Sequence, residues 1–371
     1  MLEGMDEIDW RNLRDAYGSA RDVPRYIREV AASDAEDWNE AIENLFTHIC
    51  HQGTVYEATA LAVPYLIELL THPEIKPRHW VLYLLGDIAR DYSYAYEPGA
   101  ESDTSAERVE QRYPHWLAWG QRRDWVTKAR AAVVAGFDQY MSLLADHDWL
   151  VRIAAPYPLV ICDQHSSEIV EALRRVVRSD PDARVRASAL LGWGMLCNGD
   201  RSYFQQCEHL LENAESEFVR LAAAMAMTQF FGTEVTRPPI ALICEAILNA
   251  PAFKALYEWL PWDDFREPGR CLRAASPPLV GYAASLLVDG LKQIPLSEAS
   301  IVLMDLLNLF FEDPRFTHPE QASLSEAQRG VLTEILSIDR LWQDERSPAR
   351  ILSPYGLPDQ RDTLEAFVRS K

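Results

Sequence analysis

The sequence predicts an all-α fold, a right-handed α-solenoid of stacked antiparallel helix pairs, and two observations support this prediction. The first is a repeat, because three segments that begin at Asp146, Ser179 and Ala214 share a pattern that recurs at a fixed spacing. Each segment contains a Val-Arg pair, with alanine three positions after the arginine. The pairs are 34 residues apart, at Val151-Arg152, Val185-Arg186 and Val219-Arg220. A fixed period of this size is typical of an array of stacked helical units.

The second observation is the pattern inside each unit, which indicates two helices joined by a short turn. Before the second Val-Arg pair, Ile169, Leu173 and Val176 recur at helical spacing and define one buried stripe. The polar turn at 179–182 follows, where aspartate accepts hydrogen bonds from unpaired helical N–H groups and proline presets the first helical φ. The next helix contains a run of small residues that permits close packing. Because one helix pair cannot bury its own apolar stripe, the units must stack.

The turns carry a second regularity, since an aspartate precedes the arginine by six residues at Asp146–Arg152 and at Asp180–Arg186. This helix-turn-helix pattern resembles the HEAT repeat, which belongs to the armadillo-like α-solenoids. The clear match covers about a quarter of the chain. The resemblance implies that the turn aspartates and the arginines, Arg220 included, form a structural ladder that links the turns of successive repeats.

The third unit departs from this pattern, because Ala214 stands where the aspartate is expected and Glu215 or Glu217 is left to replace it. The three arginines are also open to interpretation as a basic ladder for a phosphate strand. We favour ion pairs with turn carboxylates inside the stack, because Asp182 lies one helical turn before Arg186.

Taken in order, the chain predicts one solenoid over 1–371. Its parts are an N-terminal cap (1–21), two repeats (22–90), an inserted loop (91–124), regular repeats (125–235), divergent repeats (236–342) and a C-terminal cap (343–371). In the cap, Trp10, Leu13 and Tyr17 share one face of a predicted helix. Pro24 and Pro64 are each predicted to open a helix at its first position.

Further elements follow from the same rules. A helix is predicted from Trp38 to His51, ended by Gln52-Gly53. Apolar spacing predicts additional helices at 79–90, 238–249, 279–294, 299–311, 325–342 and 360–368. Between 238–249 and 279–294 lies a second irregular stretch rich in proline, aromatic residues and aspartate.

Composition limits the kind of partner. The 371 residues include 56 acidic and 36 basic side chains, with a net charge of −20. This balance opposes nucleic acids and anionic membranes, and it favours another protein with a basic surface. The six cysteines form no CxxC pair, and neither an export signal nor a membrane span is visible. The sequence therefore predicts a cytoplasmic protein; it leaves the oligomeric state open.

Motifs for chemistry are weak. His48 and His51 lie three apart on a predicted helix face, as metal ligands can, but Cys50 points elsewhere and zinc needs further ligands. Gly192-Trp193-Gly194 imitates a dinucleotide fingerprint, yet Cys197 stands where its last glycine belongs. HExxH, GxSxG and P-loop motifs are missing from the sequence, so we predict no catalytic residue, no metal and no cofactor.

One alternative is enzymatic. Trp259, Trp262, Asp263 and Asp264 are similar in residue type to those that HEAT-like alkylpurine DNA glycosylases use, which implies a nucleic-acid-processing enzyme. Acidity argues against it, because duplex binding depends on Lys and Arg. Deoxyhypusine hydroxylases share the architecture but bind iron through His-Glu dipeptides, and none of the nine histidines here precedes glutamate.

The leading hypothesis is a non-catalytic protein–protein interaction scaffold. Aromatic and acidic residues of the two irregular stretches are either anchors onto the body or contacts to a partner. As partner-binding residues we predict Trp116, Trp119, Trp259, Trp262, Asp263 and Asp264. The segment HQGTVYEATALAVP, from His51, resembles bacterial HEAT-repeat proteins, some encoded near toxin genes, which implies an immunity protein that neutralises a toxin.

Overall fold

The structure of the chain is a computed structural model. It describes residues 1–32, 38–90, 122–197, 199–262, 265, 267–311, 324–343 and 350–370. These residues are mostly helical, as an all-α fold requires. Contacts divide the chain into two compact units, Met1–Leu196 and Cys197–Lys371. A single continuous stack over the whole chain stays a prediction.

The first unit is built from ten α-helices within its described residues. They are α1 (Val23–Ala32), α2 (Trp38–Ile49), α3 (Thr59–Leu70), α4 (Arg78–Arg90), α5 (Arg122–Val134), α6 (Phe137–Leu143), α7 (Trp149–Ala154), α8 (Pro156–Leu159), α9 (Ser166–Ser179) and α10 (Ala183–Met195). Neighbours in sequence pack as pairs, α1 with α2, α3 with α4 and α9 with α10. In addition α4 packs against α7 and α8, which in turn pack against α10, so the second helices of successive pairs are neighbours.

The second unit continues with helices only, in the part of it that the structure describes. They are α11 (Arg201–Asn213), α12 (Glu217–Phe231), α13 (Arg237–Leu248), α14 (Ala250–Tyr257), α15 (Gly269–Leu272), α16 (Pro277–Leu291), α17 (Leu296–Asn308), α18 (Glu326–Ser337) and α19 (Arg361–Ser370). Here α12 packs against α11 and α13, α16 against α13 and α17, and α18 against α19. The short α15 contacts α12, α13 and α17.

Three helices begin in the same way, at an aspartate whose side chain accepts a backbone N–H two residues later. Asp148, Asp182 and Asp200 do so at the starts of α7, α10 and α11, with distances of 2.9, 2.8 and 2.8 Å. Each carboxylate replaces a hydrogen-bond partner that the first helical turn lacks. These aspartates therefore fix where α7, α10 and α11 start.

The predicted N-terminal cap helix is wrong. Residues 5–7 and 10–12 form 3-10 turns, and a small antiparallel hairpin follows, with strands β1 (Arg14–Asp15) and β2 (Gly18–Ser19). The Asp15 carboxylate accepts the Tyr17 N–H at 2.9 Å, and Gly18 has a φ of 125° that glycine tolerates. This local turn outcompetes the helical spacing of the aromatic residues, and Tyr17 lies exposed at its tip.

Two further helix boundaries differ from prediction. Helix α2 ends at Ile49, and a second hairpin joins β3 (Cys50–His51) to β4 (Thr54–Val55), because Gln52 and Gly53 both adopt positive φ. Pro64 does not open a helix, since α3 begins at Thr59 and contains it. Burial of Val63 and Leu66 on either side compensates for the backbone hydrogen bond that the proline removes.

Candidate functional site

The turns of the first unit are joined by a chain of arginine–aspartate pairs. Both oxygens of Asp180 accept hydrogen bonds from Arg152, from Nε at 2.7 Å and from Nη2 at 3.2 Å. The same guanidinium donates to the backbone carbonyl of Asp146 at 2.9 Å. One side chain thus links its own turn to the turn of the following repeat, with a planar two-bond geometry that only arginine provides.

A further arginine in this series of pairs, Arg78, lies at the start of α4, and the sequence pattern does not predict it. It donates to both oxygens of Asp146, at 2.7 and 3.0 Å, and its side chain is only 4% exposed. Burial acts to raise the pKa of Asp146, but hydrogen bonds from Arg78 and from the Asp148 backbone outweigh it, so the pKa is lowered. The signal was hidden because Pro77-Arg78 replaces Val-Arg at this position.

The pairing predicted for Arg186 is wrong. Asp182 is held by Arg184, at 2.5 and 3.0 Å, because Arg184 reaches back over the helix start and stacks on Trp149. Arg186 donates instead to the backbone carbonyl of Asp180 at 3.3 Å.

The third predicted arginine, Arg220, also has a backbone partner. Its Nε donates to the carbonyl of Leu211 at 3.1 Å. Glu215 and Glu217, the expected replacements for the missing turn aspartate, form no ion pair with a described residue and are exposed. The third turn therefore carries no aspartate–arginine pair of its own.

A run of exposed glutamates takes the place of that pair. We call it the acidic turn, and it consists of Glu208, Glu212, Glu215 and Glu217, around the junction of α11 and α12. All four side chains are exposed, the segment 208–217 contains no lysine or arginine, and within the described residues none of the four is ion-paired. Carboxylates that earlier turns use internally are here left to solvent.

The predicted partner-binding residues are only partly described. Trp262 is fully buried in the second unit, so its indole is an anchor and offers no surface to a partner, which corrects that assignment. Trp259 is half-buried beside it in sequence. The remaining four, Trp116, Trp119, Asp263 and Asp264, lie outside the described residues, as does most of the inserted loop.

The histidine pair weighed as a metal site has another role. Nδ1 of His48 lies 2.7 Å from the buried carboxylate of Asp15, and Nε2 lies 3.3 Å from the Tyr26 hydroxyl. The Tyr17 ring covers both His48 and His51, at centroid distances of 5.2 and 5.7 Å. Both ring nitrogens of His48 are therefore engaged in fastening the first hairpin to α2.

Among the described residues, three or more His, Cys, Asp or Glu side chains nowhere converge as a metal site would require. Gly192, Trp193 and Gly194 lie buried inside α10, a geometry that differs from the strand-to-helix turn of a nucleotide site. Over the same residues, no single helix has both the length and the apolar composition to cross a membrane.

Comparisons of the chain with known protein families, with curated proteins and with solved structures gave no match.

Proposed function

We propose that this chain is a non-catalytic HEAT-like α-solenoid whose function is to bind another protein with a basic surface. The observation that carries the proposal is the contrast between its turns. Asp146 and Asp180 are each paired with an arginine inside the first unit, whereas the four carboxylates of the acidic turn have no cationic partner among the described residues. A net charge of −20 adds a long-range attraction for a basic partner.

In its most specific form, the proposal is a bacterial immunity protein that neutralises a toxin by covering a basic active site. The resemblance of the 51–64 segment to proteins encoded near toxin genes supports this form. The alternative of a nucleic-acid-processing enzyme gains no supporting observation, since Trp262, one of the residues on which it rests, is buried.

We also propose that the protein acts in the cytoplasm. All six cysteines are free thiols, and five of them are buried. Reduced, buried thiols are typical of proteins that fold in a reducing compartment.

The test is capture from a lysate of the native host on the immobilised full chain, at low salt, with mass spectrometry of what salt elutes. Glu212→Lys/Glu215→Lys is compared with a control of equal charge change, Glu326→Lys/Glu334→Lys, on exposed positions of α18. A basic protein retained by the wild type and the control, and lost with the acidic-turn variant, supports the proposal.

Two results count against it. Equal retention by all three chains removes the acidic turn as the contact, and Asp263→Lys/Asp264→Lys then tests the second irregular stretch. If no basic protein is retained above the level of an unrelated protein of similar negative charge, the proposed function is wrong.

A further inference from the structure

A buried carboxyl group lies in the second unit where its charge is poorly accommodated. Asp305 projects from α17 and is 8% exposed. Its Oδ1 lies against the backbone of Gly269 in α15, so close that a Cβ on that glycine would sit 2.5 Å from it. Asp305 accepts no hydrogen bond from the described residues. An ionised carboxylate in this position would lose its hydration without gaining a hydrogen bond from a described residue.

The surroundings explain the protonation state of this group. The pKa of Asp305 is raised to about 7, mainly by burial and in part by the charge of Glu267, while Arg270 partly opposes the shift. The Cys244 thiol of α13 faces the same region, and Asp305 contributes to the raised pKa of that thiol. Near neutral pH the carboxyl therefore titrates.

Other charged groups on the elements that pack against α17 are already engaged. At the end of α16, Lys292 pairs with Asp289 at 3.0 Å. In the 3-10 turn 339–342, Arg340 donates to the carbonyls of Lys292 and Ile294, and Asp339 pairs with Arg361 at 2.6 Å. Residues 263, 264 and 266, which precede Glu267, lie outside the described residues.

Glu267 and Arg270 are thus the two charged residues that act on the pKa of Asp305. They are paired with each other at 2.6 Å, and both are partly exposed. Because the charge of Glu267 raises the pKa of Asp305 and the charge of Arg270 lowers it, a change in either charge shifts the pH at which Asp305 ionises.

We propose that Asp305 is a pH-sensitive lock on the contact between α15 and α17. When protonated it packs against Gly269 and holds the two helices together. When ionised it places a desolvated charge against the Gly269 backbone, so the contact loosens and the carboxylate becomes hydrated. The device belongs to the second unit alone and is independent of the proposed binding function.

The experiment is amide hydrogen exchange of the full chain between pH 5 and pH 8, corrected for the intrinsic pH dependence of exchange. In the wild type, the opening equilibrium of the α15 and α17 peptides should increase by up to about 100-fold over this range, because the open state releases the proton. In Asp305→Asn, which stays neutral, the increase should disappear. Asp289→Asn, at an exposed position on the neighbouring helix, is the matched control and should behave as the wild type does.

Two surface variants keep the test decisive if Asp305→Asn folds poorly. Glu267→Gln removes the charge that raises the pKa of Asp305, so the rise in opening should move to lower pH. Arg270→Gln removes the opposing charge and should move it to higher pH. An opening equilibrium of the wild type that does not change with pH would overturn the proposal. So would an unaltered rise in Asp305→Asn, or a rise that neither surface variant displaces.

Discussion

Arg78 donates two hydrogen bonds, at 2.7 and 3.0 Å, to the carboxylate of Asp146, which lies 68 residues further along the chain. It thereby joins the start of α4 to the turn before α7, and Arg152 repeats the arrangement between that turn and the next. Two links of the same kind connect three successive turns. We infer that these pairs set the register in which the helix pairs of the first unit lie against each other.

Replacement of Arg78 by methionine should therefore destabilise the chain strongly. The apolar stem is retained, but a carboxylate that is 10% exposed loses its cation, at a cost of about 3 kcal/mol. Urea unfolding followed by circular dichroism measures the loss.

Arg25→Met provides the control, because Arg25 is 54% exposed and pairs with Glu29 on the surface of α1. Its effect should stay within about 0.5 kcal/mol. Equal losses in the two variants would show that the buried pair has no special role.

The same pair predicts a dependence on acid. The pKa of Asp146 is lowered in the folded chain, so its contribution to stability is complete above its ordinary pKa and is lost as the pH falls through the folded value. Because Arg78→Met removes the main favourable partner, the stability difference between wild type and variant should narrow below about pH 4. Unfolding curves at a series of pH values from 6 to 2.5 test this, and a constant difference would contradict it.

The sequence revealed these links only where a repeat exposed them. Arg152 and Asp180 stand in two copies of one pattern, so their spacing points to a role in the turns. Arg78 stands after a proline and without the preceding valine, so no pattern marks it, although it donates to both oxygens of an aspartate as Arg152 does. A contact that recurs in the structure can be recognised in the sequence only where each repeat carries the same residues.

Local turn chemistry explains the largest error in the fold. Trp10, Leu13 and Tyr17 have helical spacing, yet the Asp15 side chain bonds the backbone two residues on and the chain turns back at Gly18. Trp10 still becomes buried, with its indole N–H donating to the Met5 carbonyl at 2.8 Å. Apolar spacing is therefore a better guide to which residues are buried than to the secondary structure that contains them.

Trp262 shows that the sequence was also insufficient to assign the candidate site. Tryptophan beside aspartate and proline is compatible with a contact surface and with an anchor, and residue type alone does not separate the two. Full burial of this indole decides for the anchor. The acidic turn, in contrast, could be recognised in sequence only as a departure from the repeat at Ala214.

The histidine that fastens the first hairpin gives a further prediction. His48→Phe should preserve the ring contacts with Tyr17 and Tyr26 but remove the imidazole from Oδ2 of Asp15, a carboxylate that is 1% exposed and keeps only the Tyr17 N–H on Oδ1 among the hydrogen bonds described. Loss of the side-chain partner of a buried carboxylate costs about 2–4 kcal/mol. The loss is measured by urea unfolding at pH 7.

A double-mutant cycle separates the hydrogen bond from general packing. Asp15→Asn/His48→Phe should recover part of the stability lost in His48→Phe, because a neutral amide is less costly to bury than a charge. His72→Phe, at a histidine paired with the exposed Glu74, should change little. Strictly additive effects in the cycle would mean that the contact between Asp15 and His48 contributes nothing.

The contact between Gly86 of α4 and Tyr157 of α8 lets us predict the effect of adding a single methyl group. The Tyr157 ring lies so close to Gly86 that an added Cβ would overlap it, while its hydroxyl donates to Asp87 at 2.6 Å and the Arg90 guanidinium covers its face. Gly86→Ala must therefore displace the ring and its hydrogen bond together. We expect a loss of about 1–3 kcal/mol in the free energy of unfolding, although alanine is the better helix former.

Gly281→Ala is the matched control, since that glycine lies in α16 with open space around it, and there alanine should stabilise by about 0.5–1 kcal/mol. Opposite signs for the same substitution in two helices would show that contact with Tyr157, and not helix propensity, decides the outcome at Gly86.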